Sequence, residues 1–278
     1  MRFPRGLGPL SIAFVSLLSG CAHVADREPA AITDPEEKRA IIEQITTLFE
    51  NSTPLPQYAY VERLRDSDKR GITFGKIGFT TCQDGGELLA EYDRIHPGNP
   101  LHDFRAVMED AFDEKIGCPE NVRRLEARGF AAAVKALEHD ADFRGAQDAV
   151  AERRYFKPSA RLAKKLGLKH VWSWLVIYDS FVQHGEGYGE GIAELVKRTK
   201  EGLGGATPAR GADEFTWMKA FLEARRKMLL DGDDEWKLSV GRVDALLKIH
   251  EKYGNDELEP FEFDADGYGI WRLPAKND

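Results

Sequence analysis

The stretch "HVWSWLVIYDSFVQH", residues 170–184, constrains the fold more than any other. Its apolar residues run almost all round the helical wheel rather than along one stripe. A helix of that kind has no face to offer water and belongs at the centre of a core. Such a helix needs a shell of amphipathic helices, and the chain supplies them. Asp34 as a cap, Pro35 in the first turn, Glu36 and Glu37 at the positive end, and the stripe Ile41, Ile42, Ile45, Leu48, Phe49 predict a first helix. It should end near residues 50–52, ahead of Pro54 and Pro56. Helical patterning returns over 87–95, 102–115, 120–138, 141–153, 158–166, 189–201, 212–230 and 236–252. Aromatic and β-branched residues over 58–64 and 72–81 predict a small sheet or hairpin. The glycine-rich stretches 184–191 and 202–212 read as loops. Residues 34–278 contain no repeat and no linker, so they should form one mainly α-helical unit, two-lobed around a cleft, with the small sheet beside it.

Residues 1–20 stand apart. Arg2 and Arg5 precede a short uncharged segment rich in Leu, Ile and Val, which is too short to span a membrane and reads as an export signal. Leu18-Ser19-Gly20-Cys21 resembles the bacterial lipobox, which implies cleavage before Cys21 and lipidation of its thiol. Ala22 follows where an Asp would favour retention at an inner membrane. The expectation is an exported protein anchored at the outer membrane, with release to the exterior as the other fate. Residues 21–33 then form a polar tether to a monomeric catalytic domain.

Without residues 1–20, 37 basic residues face 47 acidic ones, a net charge of −10. That balance argues against nucleic acid as a ligand and favours a cationic partner, although acidity that serves only solubility would look the same. Export makes a disulfide between Cys82 and Cys118 chemically permitted. Neither has a CxxC partner, and no metal is expected there. "GEGYGEG" lacks the strand and the Lys of a phosphate loop. "DADGYG", 264–269, resembles a calcium-loop fragment but lacks the fifth-position acid and the terminal Glu, so no metal is expected there either.

Candidate chemistry lies in "FENSTPLPQYAYVERLRDSDKRGIT", 49–73, where carboxylates sit among tyrosines, prolines and turn residues. Glu50 falls at the negative end of the first helix, beside Leu48 and Phe49, where a carboxylate's charge is disfavoured. Asp68 lies next to Lys69 and Arg70 in a turn whose backbone can donate to it, which favours the ionised form. Two carboxylates pushed apart in this way can divide acid and base work. A frayed helix end and an ordinary turn would account for the same residues.

The spacing of Glu50-Asn51, Tyr60, Asp68, Arg70-Gly71-Ile72-Thr73, Ile77-Gly78 and Asp84 resembles the signature of glycoside hydrolase family 46, the bacterial endo-chitosanases. The likeness continues through "YFKP" (155–158), "YDSFVQHG" (178–185), "FLEARRKML" (221–229) and "RVD" (242–244), across nearly all of the mature chain. It implies a lysozyme-like, two-lobed helical fold and inverting hydrolysis of the β-1,4 bonds of chitosan, with no cofactor. It also implies Glu50 as general acid, Asp68 as general base, Thr73 as the hydroxyl holding the water, and Arg70 positioning the base loop. Asp179, Arg225 and Arg242 match a buried network that supports the acid, and His184 matches a structural histidine. Asp84 and Glu87 are both candidates to grip a substrate ammonium, because the local sequence "TTCQDGGELL" departs from the family pattern. The base loop is two residues longer than usual, which makes Asp66 a rival to Asp68. The other classes to weigh are a lysozyme-like lipoprotein that cleaves peptidoglycan and a non-catalytic lipoprotein that binds glucosamine oligomers.

Overall fold

The computed structural model describes residues 36–64, 69–110, 117–256, 261–265 and 269–273. Asp66, Asp68, Cys21 and residues 1–33 therefore lie outside the described residues.

Two hydrophobic cores organise the chain. Helix α1 (Glu36–Asn51) buries Ile41, Ile42, Ile45, Leu48 and Phe49 in the first core. The chain then leaves for the second core, building a three-stranded antiparallel sheet from β1 (Val61–Arg63), β2 (Ile72–Phe74) and β3 (Phe79–Thr80). Helices α2 (Gly85–Ile95), α3 (His102–Glu109), α4 (Gly117–Ala127), α5 (Phe130–Lys135) and α6 (Ala141–Ala151) complete it around Phe74, Phe130 and Phe143.

The return path runs along one long helical segment. Helix α6 passes through a π-helical turn, Glu152–Phe156, into α7 (Lys157–Leu166). The sequence explains the wide turn. Pro158 has no N–H to give the carbonyl of Arg154, and its ring would crowd that carbonyl in a regular α-helix. Back in the first core lie α8 (Val171–His184), α9 (Ile192–Gly202), α10 (Glu214–Asp231), α11 (Asp234–Leu238) and α12 (Val240–Tyr253). Helix α8 is the predicted central helix: ten of its residues, Val171–Ser173 and Leu175–Phe181, are buried. Its Trp172 is 0% exposed and donates to the Leu246 carbonyl at 2.8 Å, so it packs the core.

Two expectations change, and one stretch with no assigned element gains strands. The helix read over 120–138 is broken at Gly129, whose positive φ of 77° turns the chain before α5. The helix read over 236–252 divides at Ser239, because Asp233 accepts the Trp236 N–H and caps the short α11 separately. The stretch weighed as a calcium-loop fragment begins in β4 (Phe261–Ala265) and ends in β5 (Gly269–Leu273), which pair antiparallel, while residues 266–268 lie outside the described residues. Asp and Gly between runs of aromatic and β-branched residues are a hairpin signal.

Candidate active site

Glu50 occupies the last turn of α1, directly after the buried Leu48 and Phe49. Ser52 adopts a left-handed conformation, φ 55°, and its N–H closes the turn on the Leu48 carbonyl at 2.9 Å. The chain thus swings away and leaves Glu50 part-exposed. Asn51 donates to the carbonyl of Lys76 at 3.3 Å, which ties this helix end to the turn between β2 and β3.

Behind Glu50 lies a buried cluster of charge. Arg242 donates from Nη1 to Glu50 Oε1 at 2.5 Å and grips Asp179 through Nε and Nη2 at 2.7–3.0 Å. Arg225 reaches the other side of Asp179 at 2.8 Å. Asp179 and Arg225 are 0% exposed and Arg242 is 5% exposed. Burial alone would raise the Asp179 carboxyl, but the charges of Arg242 and Arg225 outweigh it and hold it below the usual carboxylate range. Asp179, Arg225 and Arg242, taken from three helices, are therefore joined in one network that ends on Glu50.

His184 extends the network. Its Nε2 accepts from Arg225 at 3.2 Å while its Nδ1 donates to the Glu190 carbonyl at 3.0 Å. Burial, then the Arg225 charge, push the imidazole down to about 3, so it is neutral. These contacts give it a structural place behind the cleft.

The sheet supplies the facing wall. Ile72 and Phe74 on β2 are buried in the second core, so Thr73 between them points the other way. Glu62 and Thr80 pair with Thr73 from the two flanking strands and share its face. Tyr60 donates to Glu62 at 2.5 Å, and burial, then this carboxylate, raise the phenol to about 12. Asp84 accepts the Thr80 N–H at 2.7 Å. The sheet thus carries Glu62, Thr73 and Thr80 in a row, with Asp84 at its end.

The loop preceding Thr73 is anchored at its C-terminal end. Arg70 is exposed, but its carbonyl accepts the Cys82 N–H at 3.0 Å. At Gly71, φ is 91° and a Cβ would meet Thr81 Oγ1 at 2.4 Å and Cys82 Sγ at 2.8 Å, so only glycine fits. Cys82 and Cys118 form a disulfide that joins this corner to α4. Arg63 reaches Glu126 on the same helix at 2.7 Å.

The two ammonium-binding candidates differ. Glu87 receives Arg153 at 2.8 Å and Arg154 at 2.5 Å; burial raises it, yet the two guanidiniums hold it below the usual range. Asp84 is raised by burial, and its Oδ2 has no hydrogen-bond partner among the described residues. Tyr155, on the π-helical turn, feels the negative charges of Asp84, Glu50 and Glu87. Burial first, then Asp84, raise its phenol to about 12. No role for Tyr155 or Arg154 was read from the sequence. Their signal is the Pro158 that forces a π-turn, a feature often found at functional sites. Among the described residues there is no cluster of His, Cys, Asp and Glu able to hold a metal.

Known proteins match along most of the chain. The model for "Glycosyl hydrolase family 46" matches residues 44–259. A chitosanase of Bacillus subtilis (strain 168) is 36% identical over 247 residues, covering 86% of each chain. A chitosanase of Streptomyces sp. (strain N174) is 31% identical over 262 residues, covering 90% of this chain and 87% of its own. Among solved structures, a mutant chitosanase from Bacillus subtilis MY002 complexed with 6 GlcN superposes with a TM-score of 0.76 at 34% identity, covering 86% of this chain and 98% of its own. The GH46 chitosanase of Gynuella sunshinyii in complex with chitotetraose gives the same TM-score and coverage at 32% identity.

Proposed function

The chain belongs to glycosyl hydrolase family 46, and on that premise we propose that it is an endo-chitosanase that cleaves the β-1,4 bonds between glucosamine units with inversion. The observation that carries this reading is the Glu50 carboxylate, held at the end of α1 by the buried Arg242–Asp179–Arg225 cluster. Glu50 is the general acid. Arg242 holds Oε1, and Oε2 has no partner among the described residues and delivers the proton to the glycosidic oxygen.

Asp68 is the general base, five residues before Thr73, with Asp66 its rival two residues earlier in the same loop. Inversion requires room for a water between acid and base, an expected separation of roughly 6.5–9.5 Å. The Thr73 hydroxyl holds that water from the open face of β2. Asp84 is the carboxylate best placed for a substrate ammonium: its Oδ2 is unengaged, whereas Glu87 already carries two guanidiniums. A cation on the substrate would offset the cost of ionising a buried carboxylate. The acidic surface draws in the polycation over a longer range.

The protein is exported and lipid-anchored through Cys21 in this reading, and acts as a monomer. The Cys82–Cys118 disulfide supports an oxidising compartment. Incubation of the purified protein with chitosan, chitin and peptidoglycan, with products separated by mass, tests the reading. Glucosamine oligomers from chitosan alone are expected; release of muropeptides would overturn it.

A further inference from the structure

Outside the cleft, helices α7, α8 and α9 enclose a groove of about 590 Å³, within the size range of ligand sites. Its floor is apolar, made by Leu162, Phe181, Ile192 and Val196. Arg161 and Lys165 rise from α7, one helical turn apart, and Lys197 and Lys200 from α9. Glu186 and Glu201 also line it, leaving two positive charges in excess on a chain whose net charge is −8. Among the described residues Arg161, Lys165 and Lys200 have no ion-pair partner, whereas Lys197 lies 3.5 Å from Glu194. Tyr188, 78% exposed, stands on the glycine-rich loop at the mouth.

A polycationic substrate is repelled by such a rim, so the groove is not an extension of the chitosan cleft. An apolar floor under a ring of cations suits an amphiphile with an anionic head. We propose that this groove docks on an anionic phospholipid surface, with headgroup phosphates on Arg161, Lys165 and Lys200 and apolar groups entering over Phe181 and Tyr188. The position of the first helix supports this occupant. The Arg39 guanidinium lies 4.2 Å from the centroid of the Phe156 ring and 3.9 Å from Glu152, so the start of α1 adjoins the start of α7. The segment between Cys21 and Glu36 can reach at most about 50 Å when extended, which brings the groove within range of a lipid attached at Cys21. The inference goes beyond the chitosanase reading and draws on the lipid-anchor reading only for the presence of a membrane.

The test uses the full chain carrying Cys21→Ser, so that an acyl anchor cannot supply the binding. Flotation with vesicles of phosphatidylcholine containing phosphatidylglycerol is compared with flotation on phosphatidylcholine alone. A preference for the anionic vesicles is expected, falling ~10-fold or more in Lys165→Glu/Lys200→Glu, since each basic residue near an anionic surface contributes substantially to binding. Chitosan hydrolysis by that variant should match the parent, which reports that it is folded. Equal flotation of parent and variant on anionic vesicles overturns the proposal, as does the absence of any anionic preference. Binding of polyglutamate by the parent with no anionic preference in flotation would assign the groove to an acidic peptide instead. If unmodified and Cys21→Ser chains partition alike in expressing cells, the anchor reading fails while the vesicle comparison still decides the groove.

Discussion

Glu50 and Thr73 belong to different cores and are held by different means. Glu50 projects from the end of a sixteen-residue helix, and its partner Arg242 is locked by Asp179, which Arg225 locks in turn. That wall is fixed by buried charge, three helices deep. Thr73 sits on a strand of three residues whose corner is fixed by a glycine no other residue could replace, a few backbone hydrogen bonds and one disulfide. The first wall depends on charge balance and tolerates no loss of a fully buried partner. The second depends on backbone shape and one covalent link. A chemical site assembled from both should fail in two distinguishable ways.

The charge-held wall should break hardest. Asp179→Asn keeps the shape but leaves Arg225 and Arg242 buried without their shared counter-ion. Removing one partner from a buried ion pair costs about 3–5 kcal/mol, so chemical denaturation should show a loss of that size. Chitosan hydrolysis should vanish with it. A variant that unfolds like the parent would mean the cluster is not what fixes this wall.

Chemistry should be separable from that support. Glu50→Gln removes the proton donor but leaves Arg242 on Asp179, so turnover should fall ~10²–10⁴-fold while the unfolding midpoint moves little. On the other wall, Asp68→Asn should be similarly inactive and Asp66→Asn should keep most activity, with the first-released sugar end an α-anomer by NMR. Near-parental turnover in Glu50→Gln, an initial β-anomer, or inactivity confined to Asp66→Asn would each revise the assignment of acid, mechanism or base.

The sequence made one wall more legible than the other. Helix α8 announces itself by apolar residues on every side, and α1 by its stripe, so Glu50 at a helix end follows from periodicity. The long-range pairing of Asp179 with Arg225 and Arg242, up to 63 residues apart, is not local and was reached only through resemblance. The sheet was located, but its strands are two and three residues long, too short for alternation to assign a face. Gly71 under the disulfide, Tyr155 on its π-turn and the saturation of Glu87 by Arg153 and Arg154 are products of tertiary packing. The pairing of β4 with β5 carried a local signal, aromatic runs around an Asp–Gly pair in the sequence, which the likeness to a calcium loop obscured.

The shape-held wall should respond to loss of its covalent link. Cys82→Ser/Cys118→Ser releases the Arg70–Gly71 corner from α4. For a loop of this size the loss of stability should be about 2–4 kcal/mol. Hydrogen exchange should quicken first at the amides of Ile72, Thr81 and Cys82, with α8 protected as before. If α8 loosens equally, the two walls unfold as one unit and the contrast between them is lost.

The smallest effect concerns pH and belongs to the charge-held wall. His184 is neutral in the folded protein, its imidazole pushed down to about 3 by burial and by Arg225, against an ordinary value near 6.5. Above that ordinary value neither the folded nor the unfolded chain protonates it, and stability is unaffected. Between about 6.5 and 3 the unfolded chain takes up a proton that the folded chain refuses, so stability falls as pH falls. At pH 5 the cost should be about 2 kcal/mol. Acidification protonates the amines of chitosan and favours its capture, but it also strains the cluster behind the acid. His184→Asn removes the titrating group. Its amide N–H can still donate to the Glu190 carbonyl from the place of Nδ1, and Arg225 keeps Gln183, Ser180 and Asp179 as acceptors. Unfolding midpoints measured from pH 7 to pH 4.5 should therefore decline less steeply in the variant than in the parent. Identical slopes would show that another group, not His184, carries the pH dependence of this wall.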